Sequence, residues 1–459
     1  MSKNKEGKTF SHGFHIPDYK ELSSHCTITA LPLPTQVLIP LAQHIGAPAK
    51  CCVEVGQRVL TGQKIGEQGG FVSVNIHSSI SGIVKDIRPF LHPLGRLVES
   101  VLIESDGKDE WLAQIERNSE PGFWQERTSE TALAAISSEE ITKILPQMGI
   151  VGMGGATFPT HVKMTPPEGK VVETLIVNGV ECEPYLTADH RLMLEETPKL
   201  LAGIKLLMKA CGAKKVHVGI EMNKPDVIDL LRAEWVDQKD ITIEPLQLKY
   251  PQGAEKQLIK SILNREVPSG GLPLDVGVVV NNVGTAAAVA DAVLKNKPLF
   301  ERVLTVTGEG VARPQNLLVR VGTSFEEVLQ FCGGLKPNAK KILMGGPMMG
   351  LAQYSTEVPV IKGTSGILVL LEDKGRIKQE TNCLRCGHCL DLCPMMLNPS
   401  LLGLFARAKE FSKSDKFNVL DCMECGTCAY GCPAKIPLVH LMRFAKGEVL
   451  AQRRKMVAK

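Results

Sequence analysis

CLRCGHCLDLCP (residues 383–394) and CMECGTCAYGCP (residues 422–433) are two copies of one spacing, C-x2-C-x2-C-x3-C-P. Eight of the chain's 14 cysteines fall in them. Eight thiols in two matching tetrads read as metal ligands and not as a disulfide framework. The run is the established spacing of paired [4Fe–4S] clusters. Three cysteines two residues apart wrap one corner of a cubane, and the fourth points away to the other cluster. By that rule Cys383, Cys386, Cys389 and Cys432 hold one cluster, and Cys422, Cys425, Cys428 and Cys393 hold the second. The alternative is zinc, but four-cysteine zinc sites use two C-x2-C pairs across a longer gap. Here each tetrad carries its own trailing proline, Pro394 or Pro433. His388, inside the first copy, reads as a surface residue.

Clusters set the frame for the rest of the chain. Its 459 residues allow about three or four domains. Hydrophobic and charged fractions of 44% and 22% are globular values. The net charge is only +4, but residues 374–459 hold 15 Lys and Arg against 7 Asp and Glu. That local +8 offsets the negative charge of two thiolate-ligated clusters. Its end, Arg453-Arg454-Lys455, offers a docking surface for an acidic partner or an anionic leaflet. Thiolate clusters need a reducing compartment, so the cytoplasm is expected. The polar start, Met1–Lys8, shows no signal peptide. The longest apolar runs, near Val276–Val283 and Ile367–Leu371, have the length of buried strands, not of membrane spans. A role at a membrane would be peripheral.

Upstream of the cysteines, from about Ser129, strands alternate with helices. Ser137 and Glu140 form a capping box ahead of Ile141–Leu145. Thr174–Val177 reads as a strand, and Thr197-Pro198 as N-cap and N1 of a helix that stops at Gly212. Strands follow at Val216–Ile220, Ile241–Leu246, Asp275–Val280 and Val303–Val306, with helices near Pro225 and at Ala286–Leu294. This is an α/β core with a mostly parallel sheet. GMGGATFPTHVK (residues 152–163) is a glycine-rich loop whose amides can cradle a phosphate, with Lys163 as a counter-charge. It departs from G-x-G-x-x-G, since Thr157 takes the third glycine's place. Two further segments, Asn178-Gly-Val-Glu181-Cys182-Glu183-Pro184 and Asn281-Asn282-Val-Gly-Thr285, follow strands, where α/β sheets bind ligands. Amides there suit a flavin, and carboxylates such as Glu181 and Glu183 suit ribose hydroxyls or a nicotinamide.

Nearer the start, residues 1–28 read as a loosely ordered arm. Short strands such as Val53–Gly56, Val59–Gly62, Phe71–Val74 and Ile83–Ile87 then suggest a small β-domain. The run Val55–Val84 resembles the biotinyl/lipoyl-carrier barrel. The stretch from Gly66 to Ser81 holds no lysine to modify, so the domain reads as a structural or docking module and not as a swinging arm. Residues 307–350 open a compact β-rich unit that resembles the β-grasp module SLBB.

Taken together, the glycine loop, the NGxExEP and NNVGT segments and the doubled cysteine motif resemble the RnfC component of the Rnf complex, the ion-translocating ferredoxin:NAD oxidoreductase of bacteria. The resemblance extends to His12-Gly-Phe-His15, Ile39–Ala49, Val267–Leu272, Met344–Gly350 and Ile436–Lys446. The α/β core is similar to the flavin subunit of respiratory complex I. That relative has an arginine where Met153 stands, a glycine where Thr157 stands and an acidic residue where Val180 stands.

The resemblance implies a multidomain α/β protein. Its parts are an arm (1–28), a barrel-sandwich domain (29–125), an α/β FMN/NAD-binding core (126–300), an SLBB β-grasp module (301–365) and a two-cluster ferredoxin-like domain (366–459). It implies noncovalent FMN held by Gly152, Gly154, Lys163, Asn178, Asn281, Asn282 and Thr285. Glu183 would help place NAD(H), and Tyr250 and Glu255 would lie near the flavin. NADH gives electrons in pairs and clusters take them singly, and FMN joins the two. Implied partners are the other members of the Rnf complex, most directly its iron–sulfur component RnfB, with ferredoxin reached indirectly. The implied location is the cytoplasmic face of the bacterial inner membrane. No helicase or nuclease motif accompanies the basic tail, so nucleic acid is not an expected partner. Two other readings are a flavin subunit of a soluble NAD-linked dehydrogenase or hydrogenase, and a flavin-free iron–sulfur relay.

Overall fold

The computed structural model describes residues 7–117, 120–372 and 379–457. The α/β core is built on a parallel sheet in the order Ile241–Leu246, Lys215–Glu221, Thr174–Asn178, Val278–Asn282. Thr174–Asn178 and Val278–Asn282 are near-continuous apolar runs because both faces are covered, whereas Ile241–Leu246 at the edge is only partly buried. Leu175, Val177, Val216 and Val218 are fully buried under the helices Thr197–Cys211 and Val283–Lys295. Those two helices cross so closely that a Cβ on Gly203 would strike the Ala286 carbonyl. Asn178 and Asn282 are the last residues of adjacent strands and stand side by side in register. The expected capping box of Ser137 and Glu140 is present on the helix Ser138–Gln147.

Three boundaries of the core differ from expectation. Pro273–Val276 is a 3₁₀ turn, so the strand expected from Asp275 starts at Val278. The N-cap of Thr197–Cys211 is Glu196, because the Thr197 hydroxyl donates back to the Met193 carbonyl. Val283, expected in the turn, already begins the next helix, with Asn282 capping Gly284 N.

The N-terminal β-domain pairs a four-stranded and a three-stranded sheet around Val37, Ile39, Ile65, Ile76, Val101 and Ile103. Its main ribbon is Gly82–His92 against Arg96–Ser105. The strands expected at Val53–Gly56 and Phe71–Val74 are turns and irregular chain; Lys64–Glu67 and Ile76–His77 form the ladder in their place.

The β-grasp unit is a six-stranded sheet that recruits chain from both sides. Ile28–Ala30 pairs with Gln315–Arg320 at one edge. Gly366–Leu371 runs between Glu301–Thr307 and Ala339–Met344. The last strand therefore belongs to this unit and not to the domain that follows, which corrects the boundary at 365/366. The apolar run makes a strand, and its partners are distant in sequence.

Residues 7–27 of the arm are laid along the molecule and are not loose. Lys8 bridges to Leu246, and Phe14 to Tyr250. Gly13 N donates to the Leu392 carbonyl, so the arm ties the α/β core to the cysteine-rich domain. Residues 1–6 fall outside the described residues.

That last domain repeats its own backbone. Arg385, Gly387 and Met396 take left-handed φ of 54°, 81° and 53°, and at matching places Glu424, Gly426 and Lys435 take 60°, 88° and 54°. Each glycine precedes a one-turn helix, His388–Asp391 or Thr427–Tyr430. The helix Leu438–Val457 closes the domain, with Arg453 tied to Asp415 at 2.8 Å.

Candidate functional site

A cleft of about 540 Å³ opens at the carboxyl ends of the core strands, within the ~300–1,000 Å³ usual for ligand pockets. Of the residues singled out in the sequence, Gly152, Gly154, Lys163, Asn178, Glu183, Asn281 and Asn282 line it. The glycine loop must be narrow here, since a Cβ on Gly154 would sit 3.0 Å from the Asn282 side chain. Thr157 holds φ +51°, a conformation glycine adopts more easily. The buried Asn281 amide nitrogen lacks a partner among the described residues, which leaves a donor for something placed in the cleft.

The other side chains are held by the fold. Asn178 donates to the Gly253 carbonyl at 2.8 Å and accepts from Val180 N at 3.1 Å. Lys163 is already engaged, giving hydrogen bonds to Glu255 at 2.8 Å and to the Val280 carbonyl at 3.1 Å. Thr285 does not line the cleft; its buried hydroxyl accepts from Met153 N at 2.9 Å and holds the glycine loop. Glu181 accepts from Asp189 N and His190 N at the start of helix Ala188–Glu195, so this carboxylate is occupied as a cap. Glu183 accepts from Met348 N at 3.1 Å and Met349 N at 2.8 Å. Burial raises its pKa to about 7, against the pull of those two amides.

Among the charged residues of the cleft that sequence reading missed are Asp189 and Arg302. Asp189 accepts from Asn282 at 2.6 Å, and burial plus the nearby Glu181 raise its pKa to about 7. Arg302 reaches the cleft from the β-grasp sheet and is only 4% exposed. In the sequence Asp189 has only the position of a first-turn acid of the helix Ala188–Glu195. Nothing around Arg302 in the sequence marks it.

The far wall of the cleft is Cys422 and Met423. Cys422 also lines a second, smaller cavity with Cys393, Cys425 and Cys428. These four are the set expected from the crossed spacing. Burial pushes the Cys422 thiol up to about 11, and neighbouring Cys425 and Cys393 add to it. Burial and the same mutual repulsion push Cys428 well above the usual thiol range. Four thiolates so close need a cationic centre before they can all ionise, which fits an iron–sulfur cubane. Among the described residues no three of His, Cys, Asp or Glu are placed to hold one metal ion. A cubane differs from zinc in taking one thiolate on each iron.

The other tetrad is only half gathered. Cys389 packs beside buried Cys432, whereas Cys383 and Cys386 are exposed. Thr381 N donates to the Ala434 carbonyl, so the stretch of chain leading to Cys383 starts beside the end of the second motif.

Tyr250 joins cleft and cysteines. It is 2% exposed, donates to the Cys425 carbonyl at 2.8 Å and lies 3.5 Å from Glu183. Phe14 of the arm packs edge-on against it, at 6.5 Å between ring centres.

Comparison with known proteins finds four domain families along the chain. Residues 8–108 match the RnfC barrel sandwich hybrid domain, 145–291 the Nuo51 FMN-binding domain, 303–352 the SLBB domain and 376–433 a 4Fe-4S dicluster domain. A relative from Clostridium ljungdahlii is 45% identical over 442 residues, 96% of this chain and 94% of its own, and its name makes it the C component of a proton-translocating ferredoxin:NAD(+) oxidoreductase complex. The chain belongs to this RnfC family. The corresponding component of a sodium-translocating complex from Acetobacterium woodii is 44% identical over 97% of this chain and 98% of its own. A solved NAD+-reducing [NiFe]-hydrogenase is similar at 21% identity, covering 72% of this chain and 67% of that one, with a TM-score of 0.49. As a member of the family, the chain carries an FMN-binding domain and a two-cluster domain in one polypeptide.

Proposed function

We propose that this chain is the NAD(H)-reacting subunit of an ion-translocating ferredoxin:NAD+ oxidoreductase complex. It exchanges a hydride between NADH and FMN in the glycine-loop cleft and passes single electrons through two [4Fe–4S] clusters. The observation that carries the reading is the shared wall: Cys422 lines both the cleft and the gathered tetrad. FMN, when bound, supplies the exchange between paired and single electrons.

The chain's own residues position and insulate. Gly152, Gly154, Asn178, Asn281 and Asn282 would hold the flavin, with Thr285 fixing the loop behind them. Glu183, held by the Met348 and Met349 amides, would face the nicotinamide nucleotide. Cys393, Cys422, Cys425 and Cys428 would hold an inner cluster. Cys383, Cys386, Cys389 and Cys432 would hold an outer one, nearer solvent. Hydride transfer needs no side-chain acid or base, and none is assigned.

No helix among the described residues is long and apolar enough to cross a membrane. We place the protein peripherally, on the cytoplasmic face of the inner membrane, with the cluster-bearing RnfB component as its direct electron partner and ferredoxin beyond it. The exposed Cys383 and Cys386 and the basic helix end at Arg454 and Lys455 support a docking face there. The test is an anaerobic NADH titration of the isolated chain, following flavin absorbance and cluster EPR. Flavin bleaching with new cluster signals is expected. Clusters reducible by dithionite alone, without flavin, would overturn the reading.

A further inference from the structure

We propose that Arg302 holds the phosphate monoester of the bound flavin. This rests on the flavin reading above and names the anchor that reading lacks. Arg302 stands on Glu301–Thr307 of the β-grasp sheet, outside the matched FMN-binding domain. Its Nε donates to the Val303 carbonyl at 3.1 Å and its Nη1 to the Lys362 carbonyl at 2.5 Å. Those two bonds fix the guanidinium plane and leave Nη2 without a partner among the described residues. No carboxylate there forms an ion pair with it; Asp189 supports its charge only through the field between them.

A buried guanidinium with an open edge is costly unless an anion meets it. Arg302 lines the cleft together with Met153, Gly154, Ala188 and Asp189, and it also lines a smaller cavity with Met153, Ala188, Asp189 and Gly284. A phosphate there would meet the fork of an arginine on one side and the amides of the glycine loop on the other. Lys163, the cation the sequence offered for this task, is spent on Glu255. The isoalloxazine ring carries no charge to match Arg302, whereas the ribityl phosphate does. The module that holds the arginine also packs against the loop, since a Cβ on Gly363 would sit 2.8 Å from the Thr157 methyl. Flavin binding then joins the β-grasp unit to the core.

The test compares FMN with riboflavin, which lacks only the phosphate. Cluster-loaded full-length chain, freed of flavin, is titrated with each, following flavin fluorescence. Wild type is expected to prefer FMN strongly. Arg302→Gln should weaken FMN about 10- to 100-fold and riboflavin little, so that the preference collapses. Arg302→Lys, which keeps the charge and loses the fork, should fall between. Inorganic phosphate should compete with FMN and not with riboflavin. An unchanged FMN-to-riboflavin ratio in Arg302→Gln overturns the proposal, as does equal loss of both ligands in Arg302→Gln and Arg302→Lys. A collapse in Lys163→Gln alone would move the phosphate to Lys163. If wild type binds neither flavin, the flavin reading itself fails, and that result is distinct from the others.

Discussion

The two cysteine tetrads share one spacing and one backbone, yet the fold treats them differently. Cys393, Cys422, Cys425 and Cys428 line a common cavity, and three of the four are buried. Of the other set, Cys383 and Cys386 are exposed, and only Cys432 is buried. The difference comes from what surrounds each copy. The second copy is pressed between the α/β core, the arm and the loop Met344–Gly350: Tyr250 donates to Cys425, and a Cβ on Gly426 would meet the Met348 carbonyl at 3.0 Å. Around Gly387, at the matching place in the first copy, there is open space. On the proposed function, one sequence repeat would then make two cluster sites with distinct duties, an inner one beside the cleft and an outer one toward a docking partner.

The comparison breaks most sharply by removing one ligand from each set. Cys428→Ser should cost about half the iron and leave one cluster. NADH should still bleach the flavin but should no longer produce any cluster EPR signal, because the step next to the cleft is gone. Cys386→Ser should cost the same iron and yet keep the NADH-reducible inner signal, losing only delivery to an external acceptor. Equal effects of the two variants on that signal would refute the inner and outer roles. A chelator under mild oxidation should sharpen the same contrast. Iron is expected to leave in two phases, the fast one about half of the total and missing from Cys386→Ser. A single phase would mean that exposure does not separate the sites.

What the sequence made legible follows the range of each interaction. The cysteine spacing is local, so two crossed ligand sets could be proposed before any fold was known, and the fold brings one of them, Cys393, Cys422, Cys425 and Cys428, around a common cavity. The strand-end asparagines were legible because Thr174–Asn178 and Val278–Asn282 carry an unbroken apolar signal that stops where the ligand face begins. The arm failed because its order is borrowed: Phe14 packs against the distant rings of Tyr250 and Tyr430. Gly366–Leu371 was seen as a strand and given to the wrong unit, because its ladder partners start at Thr305 and Ala339. Lys163 was offered as the phosphate cation because it sits in the loop, and proximity in sequence hid its pairing with Glu255. Thr285 was placed at the ligand, although its hydroxyl is turned to the backbone of Met153.

The mildest change acts on the link between cleft and inner set. Tyr250→Phe deletes one hydroxyl, which donates to the Cys425 carbonyl at 2.8 Å and keeps the ring between Phe14 and Cys182. A buried hydrogen bond contributes about 1 kcal/mol net, so a small loss of stability is expected. The orphaned carbonyl leaves more negative charge beside one cluster ligand. Hydrogen bonding near the sulfurs is one of the terms that set cluster potential. The inner potential should therefore fall by tens of millivolts, on the order of one such bond. The outer potential should stay where it was, because the hydroxyl's partners among the described residues are Cys425 and Glu183. Redox titration of the two EPR signals in Tyr250→Phe and wild type reads this directly. Equal shifts at both clusters would mean that the hydroxyl acts through the whole domain and not through Cys425, and the asymmetry between the tetrads would then lie only in their exposure.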